Sequence, residues 1–304
     1  MNYALAVDIG GTKTAFGIMD SSGRFAWRDR YPTPTADNLS LMDFLIARLS
    51  EILNGHTNFP IKGIGIGTGG VVDPGSGRIA HATPLLPGWM ETPVRDILQK
   101  EFQLPVKIDN DGNMAALGEY LFGKHKGASP LVFISIGTGI GGGVVIDGKV
   151  HKGKNGAAMN IGHIAIEKNG TPCNCGRKGC LEAYASGRAI EKAYEKATGD
   201  SSGERITAEQ VFQRMQKGDA QAREVIGRAL NCLALGIDTV IELFDPDVVV
   251  LGGGVSESLR PLLGDLRKKI KCAHELFDKE NFFVSSLGNE AGLAGAGGAV
   301  LFDL

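Results

Sequence analysis

The chain has 304 residues, 43% of them hydrophobic and 22% charged, which is ordinary for a globular protein and enough for two domains with cores of their own. Thirty-two basic residues against 34 acidic ones leave a net charge of −2, which gives no electrostatic drive toward nucleic acid or a membrane surface. The opening MNYALAVDIGGTK has no basic stretch followed by an apolar run, and no segment reaches the ~20 apolar residues of a membrane helix. No nucleic-acid or membrane partner is expected, and the expected location is cytoplasmic.

The first predicted strand, 5–7, runs into Asp8 and a glycine pair. In Asp8-Ile9-Gly10-Gly11-Thr12-Lys13 the glycines let backbone N–H groups face phosphate oxygens. Thr12 and Lys13 add side-chain donors, and Asp8 is placed to hold a magnesium ion through water. An ordinary hairpin turn is the plain alternative. Strands 16–19 and 25–30 continue an antiparallel sheet. Residues 41–53 carry Phe44, Leu45, Leu49 and Leu53 at helical spacing. A strand at 61–66 turns at Thr68-Gly69-Gly70, a helix covers 92–102, and a strand at 106–108 ends in Asp109-Asn110-Asp111-Gly112-Asn113 before a helix at 114–122. A carboxylate at a strand's C-terminal end is well placed to accept a proton from a hydroxyl during phosphoryl transfer. Asp111 and Asn113 also suit helix capping, and the two roles are compatible.

The pattern restarts at residue 131. A strand at 131–136 meets Gly137-Thr138-Gly139, and a strand at 141–146 reaches an Asp147-Gly148 hairpin turn. Two strand–glycine turns, one per half, suit the grip of one polyphosphate; neither is a Walker A loop, because no Gly-Lys-Ser/Thr closes it. Next come His163, Cys173, Cys175 and Cys180, spaced H-x9-C-x-C-x4-C. Three thiolates and one imidazole suit a closed tetrahedral zinc site of structural type. Clustering of three of the five cysteines within eight residues argues for a metal site in a reducing compartment over a disulfide framework. Cys232 and Cys272 lie in helical stretches and read as core residues. Helices fill most of 186–243. A strand at 248–251 enters Gly252-Gly253-Gly254, a turn able to approach an adenosine. A helix at 257–272, a strand near 282–285 and a Gly/Ala-rich helix at 291–302 close the chain. Its two halves look alike, which implies two similar α/β domains with a cleft between them.

Taken together, Asp8–Lys13, Asp109–Asn113, Gly137–Gly143, His163 and CNCGRKGCLE at 173–182 resemble the ROK family of repressors, open reading frames and sugar kinases over nearly the whole chain. The resemblance implies an actin/hexokinase-like two-domain α/β fold with ATP and sugar in the interdomain cleft. The domains are expected at 1–120 and 121–304, with the last helix free to return to the first. By position, Asp111 matches the catalytic base. Asn110, His163 and Glu182 match sugar contacts, joined on the substrate side by Gly70, Thr83 and Asn160. Asp8, Gly10, Gly11, Thr12, Lys13, Gly137, Thr138, Gly139, Gly253 and Gly254 fall on the ATP side. His163 would serve zinc and sugar with one ring nitrogen each. ATP, Mg²⁺ and structural Zn²⁺ are the implied cofactors, and a homodimer the implied assembly.

Two departures stand out. The family's Glu-x-Gly-His is Asn160-Ile161-Gly162-His163 here, which loses a charge and adds a donor. Glucokinase-like members carry a Pro-Gly turn where this chain has Thr68-Gly69-Gly70 and an Asn where it has Leu85. The Thr-Gly-Gly turn, the Asp-Asn-Asp-Gly-Asn segment and the Thr83 region resemble N-acetylmannosamine kinases. The expected activity is therefore ATP-dependent phosphorylation of a hexose or N-acylhexosamine at the 6-hydroxyl, leaning to N-acetylmannosamine. Glucokinase, N-acetylglucosamine kinase and a catalytically weak sugar sensor are the alternatives. A repressor would need a DNA-binding domain ahead of the first strand, where seven residues precede Asp8.

Overall fold

Strand β1 (Tyr3–Ile9) alternates: Leu5, Val7 and Ile9 point to one face of a sheet, and Ala6 to the other. This period of two decides what each face receives. In the computed structural model, which describes residues 2–34, 40–82, 85–199, 205–273 and 276–304, β1 pairs antiparallel with β2 (Lys13–Asp20), and β2 antiparallel with β3 (Phe25–Pro32). Helix α1 (Leu41–Gly55) follows. It is capped by the Ser40 hydroxyl, which accepts from the Asp43 N–H at 3.1 Å. Its buried Leu41, Phe44, Leu45, Leu49 and Ile52 cover the Leu5/Val7/Ile9 face. Strand β4 (Ile61–Thr68) pairs parallel with β1. Next come the small hairpin of β5 (Val71–Val72) and β6 (Ile79–His81), helix α2 (Val94–Phe102), and β7 (Val106–Asn110), parallel to β4. Helix α3 (Asp111–Phe122) begins where β7 ends.

The second half repeats the device with β8 (Leu131–Ile136), β9 (Ile140–Ile146) and β10 (Lys149–Val150). After the cysteine loop come α4 (Glu182–Ala185), α5 (Gly187–Thr198), α6 (Ala208–Gln216) and the long α7 (Ala220–Phe244). The chain closes with β11 (Val248–Gly252), α8 (Ser256–Leu259), α9 (Leu263–Lys269), β12 (Phe282–Val284) and α10 (Ala291–Leu301). The two five-stranded sheets have orders β3-β2-β1-β4-β7 and β10-β9-β8-β11-β12, the same topology twice. In the second, β11 is parallel to both β8 and β12.

One unit comprises Met1–Gly127, Gly143–Ala158 and Glu290–Leu304; the other comprises Ala128–Gly142 and Met159–Asn289. Helix α10 thus belongs with the first sheet. Its small residues let it seat against α3: a Cβ on Gly295 would lie 1.7 Å from the Met114 carbonyl oxygen, so only glycine fits there. Ala6, Met19, Met114, Leu117, Leu293, Ala296 and Ala299 fill that face.

The helix expected at 257–272 is instead α8, a 3₁₀ turn at Arg260–Leu262 and α9. Pro261 lacks an N–H and interrupts the helical ladder. Strands β5 and β6 were not expected; two or three residues are too few to display a period. Cys272 is buried and Cys232 half-buried. Among the described residues no helix is long and apolar enough to cross a membrane.

Candidate active site

Strand register aligns the charged groups of the first unit. Arg30 pairs with Ala15, Ala15 with Asp8, Asp8 with Gly67, and Gly67 with Asp109, one row across all five strands. Partners in register share a face, so Arg30, Asp8 and Asp109 project to the side covered by α3 and α10. Strands β1, β4 and β7 are parallel, so Gly10-Gly11, Gly69-Gly70 and Asp111 all follow the carboxyl edge, where open α/β sheets bind ligands. Burial, reinforced by the nearby Asp111, pushes the Asp8 carboxyl up to about 7, and Arg30 opposes this. A Cβ on Gly292 of α10 would lie 3.1 Å from Asp8 Oδ2, so α10 packs directly against that carboxylate.

Asp109 is buried and takes three partners. Its Oδ1 accepts from the Asn110 N–H at 2.7 Å and from Asn113 Nδ2 at 2.9 Å, and its Oδ2 pairs with Lys152 Nζ at 2.9 Å. Those bonds fix the turn that presents Asp111. Asn110 is the N-cap of α3: its Oδ1 accepts from the N–H groups of Gly112 and Asn113, and its Nδ2 donates to the Gly70 carbonyl at 2.7 Å. Its second Nδ2 hydrogen faces the Asp111 carboxyl. Asp111 keeps part of its surface in solvent, yet its carboxyl lies deep enough that desolvation raises its pKa. Hydrogen bonds from the N–H groups of Gly112 and Asp111 and from the Asn110 side chain act against that rise. The result is a carboxylate with enhanced affinity for a proton at a strand's end.

In the first glycine turn the Gly10 N–H donates to the Lys13 carbonyl at 3.0 Å. The Thr33 hydroxyl donates to the Gly10 carbonyl at 2.7 Å and lies 2.9 Å from the Thr14 hydroxyl. Thr12 and Lys13 are left exposed at the tip, and Leu85 packs over Gly11. Gly70 has φ +108°, and a Cβ there would meet the His81 carbonyl oxygen at 2.3 Å, which explains the glycine. Thr83 lies outside the described residues.

In the second unit, β8 and β11 deliver Gly137-Thr138-Gly139 and Gly253-Gly254 to the same carboxyl edge. The Gly137 N–H donates to the Gly139 carbonyl at 2.9 Å, and the Gly187 N–H to the Gly137 carbonyl at 2.8 Å. Gly253 has φ +84°, and a Cβ there would sit 2.5 Å from the Ile136 carbonyl oxygen. Thr138 opens onto a concavity of about 590 Å³ whose walls include Cys173, Glu182, Arg188, Lys192 and Arg228. Sequence reading missed these cations, as it missed Arg30 and Lys152. Asn160 is exposed and its side chain makes no hydrogen bond to any of the described residues, while its carbonyl accepts from the His163 N–H at 3.0 Å.

The cysteine loop brings all four expected ligands together. One donor atom each from His163, Cys173, Cys175 and Cys180 lies within 4.8 Å of the others. His163 Nδ1 is 3.7 Å from Cys173 Sγ, and Cys175 Sγ is 3.6 Å from Cys180 Sγ. At ~2.3 Å per zinc–sulfur bond, the edge of a tetrahedron is ~3.8 Å, so the set fits a zinc ion. The Arg177 guanidinium holds the His163 carbonyl at 2.5 Å. Burial pushes the Cys180 thiol up to about 12 and also raises Cys173; against its own desolvation, hydrogen bonds from Arg177 bring Cys175 down to about 7. Three sulfurs this close ionise together only with a cation among them.

The family model described as ROK family matches residues 4–302. A glucokinase of Halalkalibacterium halodurans is 35% identical over 311 residues, covering 97% of this chain and 94% of its own. Among solved structures, a ROK family glucokinase from Streptomyces griseus, in complex with glucose and AMPPNP, has a TM-score of 0.81 at 29% identity, with 97% of this chain and 98% of that one covered. A Listeria monocytogenes protein described as a candidate N-acetylmannosamine kinase has a TM-score of 0.83 at 27% identity, with 99% of each chain covered. The fold is the actin/hexokinase-like two-domain α/β fold of these structures.

Proposed function

This chain belongs to the ROK family and is an ATP-dependent sugar kinase, and on that premise we propose that it phosphorylates the 6-hydroxyl of an N-acylhexosamine, N-acetylmannosamine foremost. The observation that carries the chemistry is Asp111, a carboxylate of raised proton affinity fixed at the end of β7. It accepts the proton of the sugar hydroxyl as that oxygen attacks the terminal phosphorus of ATP; the bond to the β-phosphate oxygen breaks and ADP leaves. Backbone N–H groups of Gly11 and Gly139, with Thr12, Lys13 and Thr138, take the phosphates, while Gly10 and Gly137 close the two turns with their own N–H groups, and Gly253-Gly254 take the adenosine. Asp8 would hold a magnesium ion through water, which would relieve the cost of its buried charge.

Asn110, His163 and Glu182 bind sugar hydroxyls, and Gly70 and Thr83 border them. His163, Cys173, Cys175 and Cys180 would hold a zinc ion of structural type, which would fix the His163 imidazole through Nδ1, the nitrogen nearest Cys173, and leave Nε2 for the sugar. The lean toward an N-acyl sugar rests on the Thr68-Gly69-Gly70 turn, the Asp109–Asn113 segment and the Thr83 region, which resemble N-acetylmannosamine kinases, and the exposed amide of Asn160 offers an N–H donor for an acetyl carbonyl. Glucose is the second reading, favoured by the 35% identical glucokinase. We place the enzyme in the cytoplasm as a homodimer.

A coupled ADP-release assay across glucose, mannose, fructose, N-acetylglucosamine and N-acetylmannosamine tests this. The highest kcat/KM is expected with N-acetylmannosamine. A clear preference for glucose would overturn the N-acyl reading and leave the kinase reading standing. No turnover with any of the five would favour a sugar sensor.

A further inference from the structure

Glu182 opens α4, two residues after Cys180, and its carboxylate faces two ways. Oε2 accepts from the Ile140 N–H at 3.0 Å, at the foot of the second phosphate turn. Oε1 lies 3.9 Å from Cys173 Sγ, a member of the four-ligand cluster. The turn rests directly on the carboxylate: a Cβ on Gly139 would come within 2.5 Å of Glu182 Oε2. The turn's second anchor is the Gly187 N–H on the Gly137 carbonyl, five residues further along the same segment. Between them, the Ser186 N–H donates to the Glu182 carbonyl at 3.3 Å, and the Ser186 hydroxyl caps α5. Two fixed points of the phosphate turn therefore come from 182–187, beside a third from the Val255 N–H on the Ile136 carbonyl at 2.9 Å, and that segment is tied at its start to the metal ligands.

We infer that Glu182 is a positioning residue that couples the Cys₃His site to the phosphate turn, so that metal occupancy sets the affinity for the nucleotide. The role is distinct from a contact with the sugar and rests on the kinase reading. With all four ligands held by one ion, Cys173 would be fixed, and the carboxylate that lies between Cys173 and Ile140 would be held with it. Without the ion, Cys173 is free to shift, Glu182 follows, and the N–H groups of the turn lose their common aim. Binding energies linked in this way are reciprocal: nucleotide binding must alter the metal site by the same factor.

The test omits sugar, so the sugar contact of Glu182 is not read. AMPPNP with Mg²⁺ is titrated by calorimetry into the zinc-loaded protein and into protein stripped by chelation, for wild type, Glu182→Ala and Glu182→Gln. Stripping is expected to weaken AMPPNP binding by wild type about fivefold or more, the size of one lost hydrogen bond. Glu182→Ala should bind that weakly with zinc present, and stripping should weaken it no further, the signature of a coupled pair. Glu182→Gln keeps a carbonyl acceptor for the Ile140 N–H and should stay near wild type while loaded.

Should stripped protein unfold, cobalt(II)-substituted protein supplies the second measurement. AMPPNP should perturb the thiolate-to-cobalt absorption bands of wild type and leave those of Glu182→Ala unchanged. Equal AMPPNP affinity of loaded and stripped wild type, an additive loss on stripping Glu182→Ala, or a band shift that survives in Glu182→Ala would each overturn the inference. Failure of wild type to bind AMPPNP at all would overturn the kinase reading itself.

Discussion

The two glycine turns share a plan and differ in what holds them. The first is held by its own β-meander: Thr33, 23 residues from Gly10, donates to the Gly10 carbonyl, and its N–H donates to the Thr12 carbonyl at 3.0 Å. The second is held from 42 and 50 residues away, by Glu182 on the Ile140 N–H and Gly187 on the Gly137 carbonyl, both downstream of the cysteine loop. The first also lies near two carboxylates, Asp8 and Asp111, whose like charges raise the demand for a cation; the second rests on one carboxylate, Glu182, supplied from outside Ser135–Gly143 and engaged by the Ile140 N–H. One topology, used twice, thus yields a turn that answers to charge and a turn that answers to distant structure. Duplication fixes where a phosphate turn sits, at the carboxyl edge of parallel strands, and leaves its control open.

The largest expected effect separates chemistry from the rest. Asp111→Asn keeps the shape of the side chain and removes the proton acceptor, so kcat should fall by ~10²–10⁴. AMPPNP affinity and circular dichroism should stay near wild type, because neither glycine turn depends on Asp111 for a hydrogen bond. A kcat within tenfold of wild type would remove Asp111 from the mechanism.

Asp8 tests the charge side of the comparison. Its folded-state pKa of about 7 exceeds the unfolded value of 3.8, so the native state binds more protons between those values, and stability falls as pH rises from ~4 toward 7. The cost above pH 7 approaches a ceiling of about 4 kcal/mol, at ~1.4 kcal/mol per pH unit. Asp8→Asn lifts it. In urea unfolding without Mg²⁺, the variant should be more stable than wild type at pH 8, with the gap closing toward pH 4. Turnover should drop, because the water-mediated hold on the magnesium ion is gone. A gap that does not change with pH would show that the Asp8 proton is not the source of the strain.

Thr33 tests the local hold. Thr33→Val preserves shape, removes the donor to Gly10 and leaves the buried Thr14 hydroxyl without that neighbour. An expected loss of about 1–3 kcal/mol should appear in urea unfolding. KM for ATP should rise by the same factor in zinc-loaded and cobalt-substituted enzyme, since this turn has no link to the cysteine loop. A metal-dependent effect would erase the contrast between the turns.

How much of this was legible follows from the range of the interactions. The turns and the ligand set are local patterns, a strand running into glycines or cysteines at fixed spacing, and those patterns recur in the structure at the same residues. Asn110 reads as a polar residue before a helix, but its bond to the Gly70 carbonyl spans 40 positions and has no local signature. Arg30 and Lys152 escape for the same reason: register and chain return bring them to Asp8 and Asp109, and neither follows from spacing. Nothing in composition marks the division of the chain, because it passes between units four times, once within β9 between Gly142 and Gly143. The broken helix at 256–269 was legible in principle, since Pro261 stands in the sequence.

The smallest effect concerns specificity, where both turns stand aside. Asn160 occupies the place of a family Glu just before the 3₁₀ turn that carries His163, and its amide is exposed and unengaged. A hydrogen bond from a sugar hydroxyl to a carboxylate contributes ~1.5–3 kcal/mol, and one to a neutral amide ~0.5–1.5. The difference, about 1 kcal/mol, is roughly fivefold in affinity. On glucose, Asn160→Glu should therefore lower KM about fivefold. On the N-acyl reading, the amide N–H would meet the acetyl carbonyl of N-acetylmannosamine, and a carboxylate has no donor to replace it. There the same substitution should raise KM, since two acceptors would face each other. Steady-state kinetics on both sugars reads the two signs at once. Opposite shifts tie Asn160 to the N-acyl group; a fall in KM on both sugars alike would show that Asn160 is only a weakened hydroxyl contact.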